Sequence, residues 1–223
     1  GSAPSVIRRL ESTPAQSDTL TLLLSYRPPY DWQQTLEFLR RRQIPGVEKF
    51  DELSYSRSVS LPSGVAGGVP IQGTIQVSHA AGKFALRVGV SLSLLPVIGV
   101  VCDRLRRQFD LDANPAAINA VLADAPLLAN ACNSAPGTRM PGAWDSFEVL
   151  VRAVLGQQIS VAAALTLARR LVERFGEPLD EHWRLFPTPE AIASGDLSGL
   201  GITGRRIETL QAVARQLQAG TLE

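Results

Sequence analysis

The sequence predicts two parts: an α+β domain with an antiparallel sheet and helices at residues 19–112, and an incomplete all-α domain at residues 113–223. Short segments rich in β-branched residues, separated by turn dipeptides, dominate the first part. After Asp112, apolar residues recur almost only at helical spacing. Residues 1–18 are polar and are interpreted as a linker, in which Gly1-Ser2 resembles the remnant of an expression tag.

The first predicted element is a strand at Thr19–Ser25. Pro28 and Pro29 follow it and exclude a helix at that point. Asp31 favours the N-cap position of a helix that extends to about Arg42. The apolar face of this helix is predicted from three residues at helical spacing, Trp32, Leu36 and Leu39.

Four further strands are predicted, near 48–53, 54–61, 70–76 and 84–90. The segment 54–61 is polar enough to have one face in water, so we expect a sheet with one packed face and one solvated face. A helix over Leu95–Phe109 follows the last strand. Its expected core stripe consists of Val97, Val100, Val101 and Leu105.

The second part contains several predicted helices, each preceded by a residue that favours the N-cap position. These residues are Asn114, Asp145, Ser160, Thr188 and Thr203. The helix after Ser160 is expected to bury Val161, Leu165, Ala168, Leu171, Val172 and Phe175.

The composition excludes several classes of function. A formal net charge of +1 does not by itself indicate a nucleic-acid-binding protein, so any DNA contact must come from local basic clusters or backbone amides. His79 and His182 lie far in sequence from each other and from Cys102 and Cys132, which are expected to be buried free thiols. We therefore predict no metal and no cofactor. The sequence has no apolar run that could span a membrane and no secretory signal, which predicts a cytoplasmic location.

The most distinctive segment is Arg152–Val161. It predicts a helix, a tight turn at Gly156 and a second helix that Ser160 caps. Gln157 and Gln158 lie at the junction, and two adjacent amides are unusual in an uncharged apolar turn. One interpretation is that these amides only cap the helix ends.

The segment Arg152–Val161 is similar to the start of the helix-hairpin-helix DNA glycosylase domain. Other segments resemble the AlkA type of bacterial 3-methyladenine DNA glycosylase: Tyr26–Trp32, Phe109–Pro115, Arg139–Glu148, Phe186–Pro189 and Leu200–Ile202. The resemblance implies a first domain similar to half of the TATA-binding protein. It also implies a repair enzyme that flips an alkylated base out of double-stranded DNA and hydrolyses its N-glycosidic bond.

The same resemblance assigns recognition roles to five residues. Gln158 would enter the duplex as a wedge where the base has left, and Gln157, Ile159 and Ser160 would flank it. Phe38 matches an aromatic residue that faces the flipped base, whose positive charge an electron-rich ring attracts. The alternative for Phe38 is an ordinary core position on its helix.

The phosphate-binding hairpin and the catalytic residue of the resembled family are not found in these 223 residues. The family has a glycine-rich hairpin that binds a DNA phosphate and then a catalytic Asp, and the resemblance places both after Glu223. We therefore expect no catalytic residue here, and a glycosylase activity only in a longer protein. The segment 114–140 would then lack packing partners, which predicts exposed apolar side chains, self-association, a swapped element or disorder.

Three alternatives accompany this interpretation. Ala3–Arg9 is similar to the closing residues of an AraC-type helix-turn-helix domain, which would make the longer protein a regulator fused to a glycosylase; a plain linker explains the same residues. A second alternative is a non-catalytic DNA-binding or regulatory module. A third, a glycosylase for oxidised bases, is disfavoured by the Pro-Pro-Tyr-Asp-Trp match at 28–32.

Overall fold

A computed structural model describes residues 19–65 and 67–221 of the chain. The linker 1–18, with its AraC-like residues Ala3–Arg9, lies outside the described residues, so the interpretation of that segment stays a prediction. In the described part, a five-stranded antiparallel sheet with two helices precedes a helical second half. The predicted fold class is therefore confirmed.

The sheet has the strand order β1-β5-β4-β3-β2, and every neighbouring pair is antiparallel. Its strands are β1 (Thr19–Ser25), β2 (Glu48–Phe50), β3 (Ser54–Leu61), β4 (Ile71–Ala80) and β5 (Ala85–Ser91). Strand β2 is shorter than predicted because the Asp51 carboxylate accepts hydrogen bonds from the amides of Leu53 and Ser54, at 2.8 and 2.6 Å. These bonds form a turn that ends the strand.

One face of the sheet packs against α1 (Trp32–Arg40) and α2 (Ile98–Gln108). Tyr55, Val77 and Val88 are paired side by side across the three central strands, and all three are buried. The Asp31 side chain caps α1 by accepting a hydrogen bond from the Gln34 amide at 2.9 Å, as predicted.

The prediction that β3 has one solvated face is only partly right. On the face formed by its serines, Ser54 and Ser58 are buried, whereas Ser56 and Ser60 are partly exposed. The second half of the chain covers part of this face, where the Ser58 hydroxyl donates to the carbonyl of Arg184. Arg57 lies on the opposite, packed face and pairs there with Glu148 at 2.8 Å.

The second half is helical. Its helices are α3 (Pro115–Ala123), α4 (Pro126–Ser134), α5 (Ser146–Gly156), α6 (Val161–Phe175), α7 (Pro189–Ser194) and α8 (Gly204–Gln218). The predicted caps Asn114, Asp145, Ser160 and Thr188 each accept a backbone amide hydrogen bond. Thr203 occupies the N-cap position of α8, but its hydroxyl makes no capping bond, so that prediction is only partly right.

Two predicted core positions are wrong. Val100 is 45% exposed because the buried stripe of α2 runs through Val101 and Leu105, and Val100 lies about 100° around the helix from Val101. Val161 is 57% exposed because it is the first residue of α6, and the buried residues of that helix begin at Leu167.

Each of the two hydrophobic cores receives residues from the other half of the chain. Trp144 is buried with the side chains that lie between the sheet and α1–α2. Ile44 and Val47, which lie between α1 and β2, are buried among α5, α6, α7 and α8. The two halves therefore meet over a closely packed contact.

The helices α3 and α4 expose large apolar side chains, as the sequence predicts for the segment 114–140. The exposed residues are Ile118, Val121, Leu122, Leu127 and Leu128, and Leu127 is 95% exposed. The segment is attached to the first half through Gly137, whose carbonyl accepts a hydrogen bond from the Asp31 amide at 2.8 Å. Self-association through these side chains stays a prediction.

In the described part of the chain, no group of three or more His, Cys, Asp or Glu residues is arranged to hold a metal ion. Nor does that part contain a helix long and apolar enough to span a bilayer. Cys102 and Cys132 are free thiols, but both are half-buried rather than buried.

Candidate functional site

The turn between α5 and α6 places Gln157 and Gln158 in solvent at the end of two packed helices. Gln158 has a φ of 57°, in the left-handed region, which costs a non-glycine residue on the order of 1 kcal/mol. The Ser160 hydroxyl fixes the start of α6 by accepting a hydrogen bond from the Ala163 amide at 3.2 Å. The guanidinium of Arg206, which lies on α8, donates to the carbonyl of Gln157.

Among the described residues, neither glutamine side chain forms a hydrogen bond with another protein group. The capping bond at this junction comes from Ser160, and the Gln157 backbone amide donates to the carbonyl of Val154. The interpretation that these amides only cap helix ends is therefore wrong. Two unpaired amides on a strained, well-anchored turn are free to contact another molecule.

Phe38 lies on the outer side of α1 and is 39% exposed. The buried residues of this helix include Leu36 and Leu39, and the ring of Phe38 points away from them. The alternative that Phe38 is a core residue is therefore wrong. The Arg42 guanidinium lies over the ring, with its Cζ 3.8 Å from the ring centroid.

Arg42 also connects Phe38 to the α5–α6 turn, because it borders a hollow of about 210 Å³ beside that turn. The walls of the hollow include Gly156 and Ile159, so Ile159 turns inward while its two glutamine neighbours face solvent. The remaining walls are mostly apolar and come from α6: Val161, Ala164, Leu165 and Ala168. The hollow is thus bordered by Arg42, which covers the ring of Phe38, and by the turn that carries the exposed amides, although Phe38 and the two glutamines do not line it themselves. Phe38, the hollow and the α5–α6 turn are together called the candidate surface.

Arg152 joins the elements that carry this surface. Its Nη1 donates to the carbonyl of Arg42 at 2.7 Å, just beyond the end of α1. Its Nη2 donates to Glu48 Oε2 at 2.9 Å and to Glu148 Oε1 at 2.6 Å. One guanidinium therefore binds α1, β2 and α5 together, one turn of helix before Gly156.

Glu148 is the centre of a buried charge network. Burial by itself raises the pKa of Glu148, but the guanidinium groups of Arg57 and Arg152 outweigh burial and lower it to about 2. The Tyr55 hydroxyl, which donates to Glu48 at 3.1 Å, has its pKa raised by burial. The Glu148 carboxylate is thus held ionised by its two arginine partners.

Two family models match the chain. The model of the AlkA N-terminal domain matches residues 21–145, and the model of the HhH-GPD superfamily base excision DNA repair protein matches residues 151–221. The chain belongs to the AlkA family. The predicted resemblance is confirmed, and the α5–α6 turn lies within the HhH-GPD match.

Relatives of this AlkA-family chain carry names that agree with the match. It is 34% identical to DNA-3-methyladenine glycosylase 2 of Escherichia coli (strain K12) over 204 residues, which are 89% of this chain and 68% of the relative. It is also 34% identical over 213 residues to a Mycobacterium tuberculosis protein named as a probable bifunctional transcriptional activator and DNA repair enzyme AlkA. That alignment covers 94% of this chain but only 41% of the relative.

Solved structures share the fold of the AlkA-family chain. A 3-methyladenine DNA glycosylase from Archaeoglobus fulgidus superposes with a TM-score of 0.72 at 20% identity, covering 88% of this chain and 66% of that one. An 8-oxoguanine glycosylase/lyase from Clostridium acetobutylicum in complex with double-stranded DNA gives a TM-score of 0.63 at 15% identity, covering 97% and 67%. At these identities the likeness shows the fold alone.

Of the residues predicted for recognition, Ile159 lines the hollow and Phe38 is connected to it through Arg42, whereas Gln157, Gln158 and Ser160 are exposed on the turn beside Ile159. Sequence reasoning missed Arg42 and Arg152, which link them. The spacing of Phe38 and Arg42 was a usable signal, because residues four apart on a helix are neighbours.

Proposed function

We propose that this chain recognises alkylated bases in double-stranded DNA and forms the damage-recognition part of an N-glycosyl hydrolase. The observation that carries the proposal is the α5–α6 turn, where Gln158 is held in a strained conformation and its side-chain amide has no partner among the described residues. Membership of the AlkA family, and the names of its relatives, support alkylated bases as the substrate class.

In this mechanism Gln158 fills the gap that a flipped base leaves. Extruding a base costs about a few kcal/mol, and a side chain in the vacated space offsets part of that cost. An amide has two donors and an acceptor, so Gln158 can bond to the orphaned partner base whichever edge that base presents. Gln157, Ile159 and Ser160 lie beside the gap, where the first amides of α6 favour a DNA phosphate.

Phe38 provides one wall for the flipped base. An alkylated purine carries positive charge, and a ring face attracts a cation through its quadrupole. Phe38 is exposed, and the hollow beside Arg42 lies between it and the turn. Lesions are therefore expected to contact both ends of the surface at once.

We do not assign the hydrolysis step to Phe38, to the residues of the α5–α6 turn or to the buried carboxylates Glu48 and Glu148. A glycosylase carboxylate must be free to stabilise positive charge on the sugar. Glu48 and Glu148 are buried and bonded to Arg152, so neither is free for this role. We therefore expect the 223 residues to bind damaged DNA without releasing the base.

We also propose that the protein acts in the cytoplasm.

We also propose that a second copy of the chain covers the apolar side chains of α3 and α4. Ile118, Val121, Leu122, Leu127 and Leu128 are all exposed, and large apolar side chains exposed on two adjacent helices favour association.

The decisive experiment compares equilibrium binding of three duplexes that differ at one nucleotide: 2′-fluoro-7-methyl-2′-deoxyguanosine, 2′-fluoro-8-oxo-2′-deoxyguanosine and undamaged 2′-deoxyguanosine. The fluorine prevents base loss, so binding alone is measured. We expect the methylated duplex to bind most tightly and Gln158→Ala to remove that preference, while Gln157→Ala reduces it less.

Equal affinity for all three duplexes would support a DNA-binding module without lesion recognition. A preference for the 8-oxoguanine duplex would support the oxidised-base class instead. Either result contradicts the proposal.

A further inference from the structure

The guanidinium of Arg42 lies over the ring of Phe38, where the proposed function places a positively charged base. Arg42 Cζ is 3.8 Å from the ring centroid, which is the shortest arginine or lysine contact with an aromatic ring in the described residues. Arg42 Nη1 also donates to the carbonyl of Phe38 at 3.1 Å. The guanidinium therefore covers the ring from one turn further along the chain.

The backbone of Arg42 is fixed, whereas its side chain can move. Its carbonyl accepts the hydrogen bond from Arg152 at 2.7 Å, which holds the end of α1 against α5. Within the described residues, the guanidinium bonds only to the carbonyl of Phe38, and Arg42 is exposed. Exposed contacts of this kind are weak and exchange easily.

We propose that Arg42 is a specificity-determining residue that competes with a cationic base for the ring of Phe38. This inference rests on the proposed function, in which that ring receives the flipped base. A positively charged base must displace the guanidinium from the ring and also meets its like charge. A neutral base avoids the repulsion and can stack on the guanidinium plane itself. Arg42 thus shifts the lesion range toward neutral bases.

The competing explanation for Arg42 is a plain phosphate contact. An arginine that only binds the DNA backbone adds affinity for every duplex and carries no information about the base. The two roles predict different outcomes, because only a competitor for the ring changes the ratio between cationic and neutral lesions.

The test measures fluorescence anisotropy of the 223-residue chain with two lesion duplexes and one undamaged duplex. One lesion is cationic 2′-fluoro-7-methyl-2′-deoxyguanosine and the other is neutral 2′-fluoro-2′-deoxyinosine. Arg42→Ala is expected to raise the affinity ratio of cationic to neutral lesion by about two- to fivefold, the equivalent of one exposed cation–π contact.

Arg41→Ala is the matched control. Arg41 lies next in the chain, carries the same charge and pairs with Glu37 at 2.8 Å rather than with a ring. Its loss is expected to leave the ratio unchanged. In a Phe38→Leu background, Arg42→Ala is expected to raise the ratio less than it does with Phe38 present, because the ring for which the two cations compete is gone and only the like-charge repulsion is relieved.

The outcomes separate the two proposals. If the wild-type chain prefers lesions to undamaged DNA but Arg42→Ala leaves the ratio unchanged, or weakens all duplexes equally, the competition is overturned and the proposed function stands. If the wild-type chain shows no preference for either lesion, the proposed function fails and the competition fails with it.

Discussion

Arg57 Nη2 lies 2.8 Å from Glu148 Oε2, and both side chains are buried where β3 meets α5. The pair joins residues 91 positions apart in the chain. Glu148 also pairs with Arg152 on its own helix, whereas Arg57 reaches Glu148 only when the sheet half and the helical half are in contact. The stability of that contact is therefore the first property to test.

Glu148→Gln is expected to destabilise the protein by about 3–5 kcal/mol, because Arg57 is then buried without a counter-charge. Arg57→Met is expected to cost less, since Glu148 keeps its bond to Arg152. Urea unfolding measures both. As a control, Arg41→Met breaks an exposed pair and should cost at most about 1 kcal/mol. Equal losses in Glu148→Gln and Arg41→Met would contradict the prediction.

Stability should depend on pH through the same carboxyl. The pKa of Glu148 is lowered from 4.5 to about 2 in the folded protein. Between these values the unfolded state binds more protons, so the contribution is fully present above pH 4.5 and is lost as the pH falls toward 2. Unfolding free energies of wild type and Glu148→Gln are expected to converge over this range. Parallel pH profiles would refute the assignment.

The strained turn gives a prediction with opposite signs at adjacent residues. Gln158→Gly is expected to stabilise the protein by about 1 kcal/mol, because glycine adopts a positive φ without strain. Gln157→Gly should instead destabilise it by about 0.5–1 kcal/mol, because Gln157 has an ordinary extended backbone and glycine only adds unfolded-state freedom. Thermal denaturation compares them, and shifts of the same sign would exclude strain at Gln158.

Two helix starts differ in their caps and should differ in their sensitivity. Ser160→Ala is expected to cost about 1 kcal/mol, because the hydroxyl accepts the Ala163 amide. Thr203→Ala is expected to cost less than about 0.5 kcal/mol, since its hydroxyl makes no capping bond. Chemical denaturation of the two variants provides the check. A larger loss of unfolding free energy in Thr203→Ala than in Ser160→Ala would contradict the described cap geometry.

Self-association should depend on the apolar surface of α3 and α4. Sedimentation velocity is expected to show a concentration-dependent dimer of the wild-type chain, and Leu127→Glu should shift it to monomer. Val65→Glu is the matched control, because Val65 is an exposed apolar residue of the β3–β4 loop. A monomer at every wild-type concentration would remove the proposed second copy.

Local chemistry made much of the fold predictable. The caps at Asp31, Asp145 and Ser160 lie where side-chain oxygens precede apolar periodicity, and each forms the expected bond. The burial of Arg57 and Ser58 on β3 was not predictable, because their partners are 91 and 126 residues away and polarity alone suggests solvent. At the candidate site, residue identity predicted the exposed amides, whereas the left-handed conformation of Gln158 depends on how two helices meet.

The exchange of core residues has a consequence for how the molecule melts. Trp144 completes the packing beneath the sheet, and Ile44 and Val47 complete the packing among the later helices. Opening either half therefore exposes apolar surface in the other, so the loss of structure in one half destabilises the other. Both halves are expected to unfold in a single cooperative transition, and the surface formed by Phe38 and Gln158 should persist or disappear as one unit.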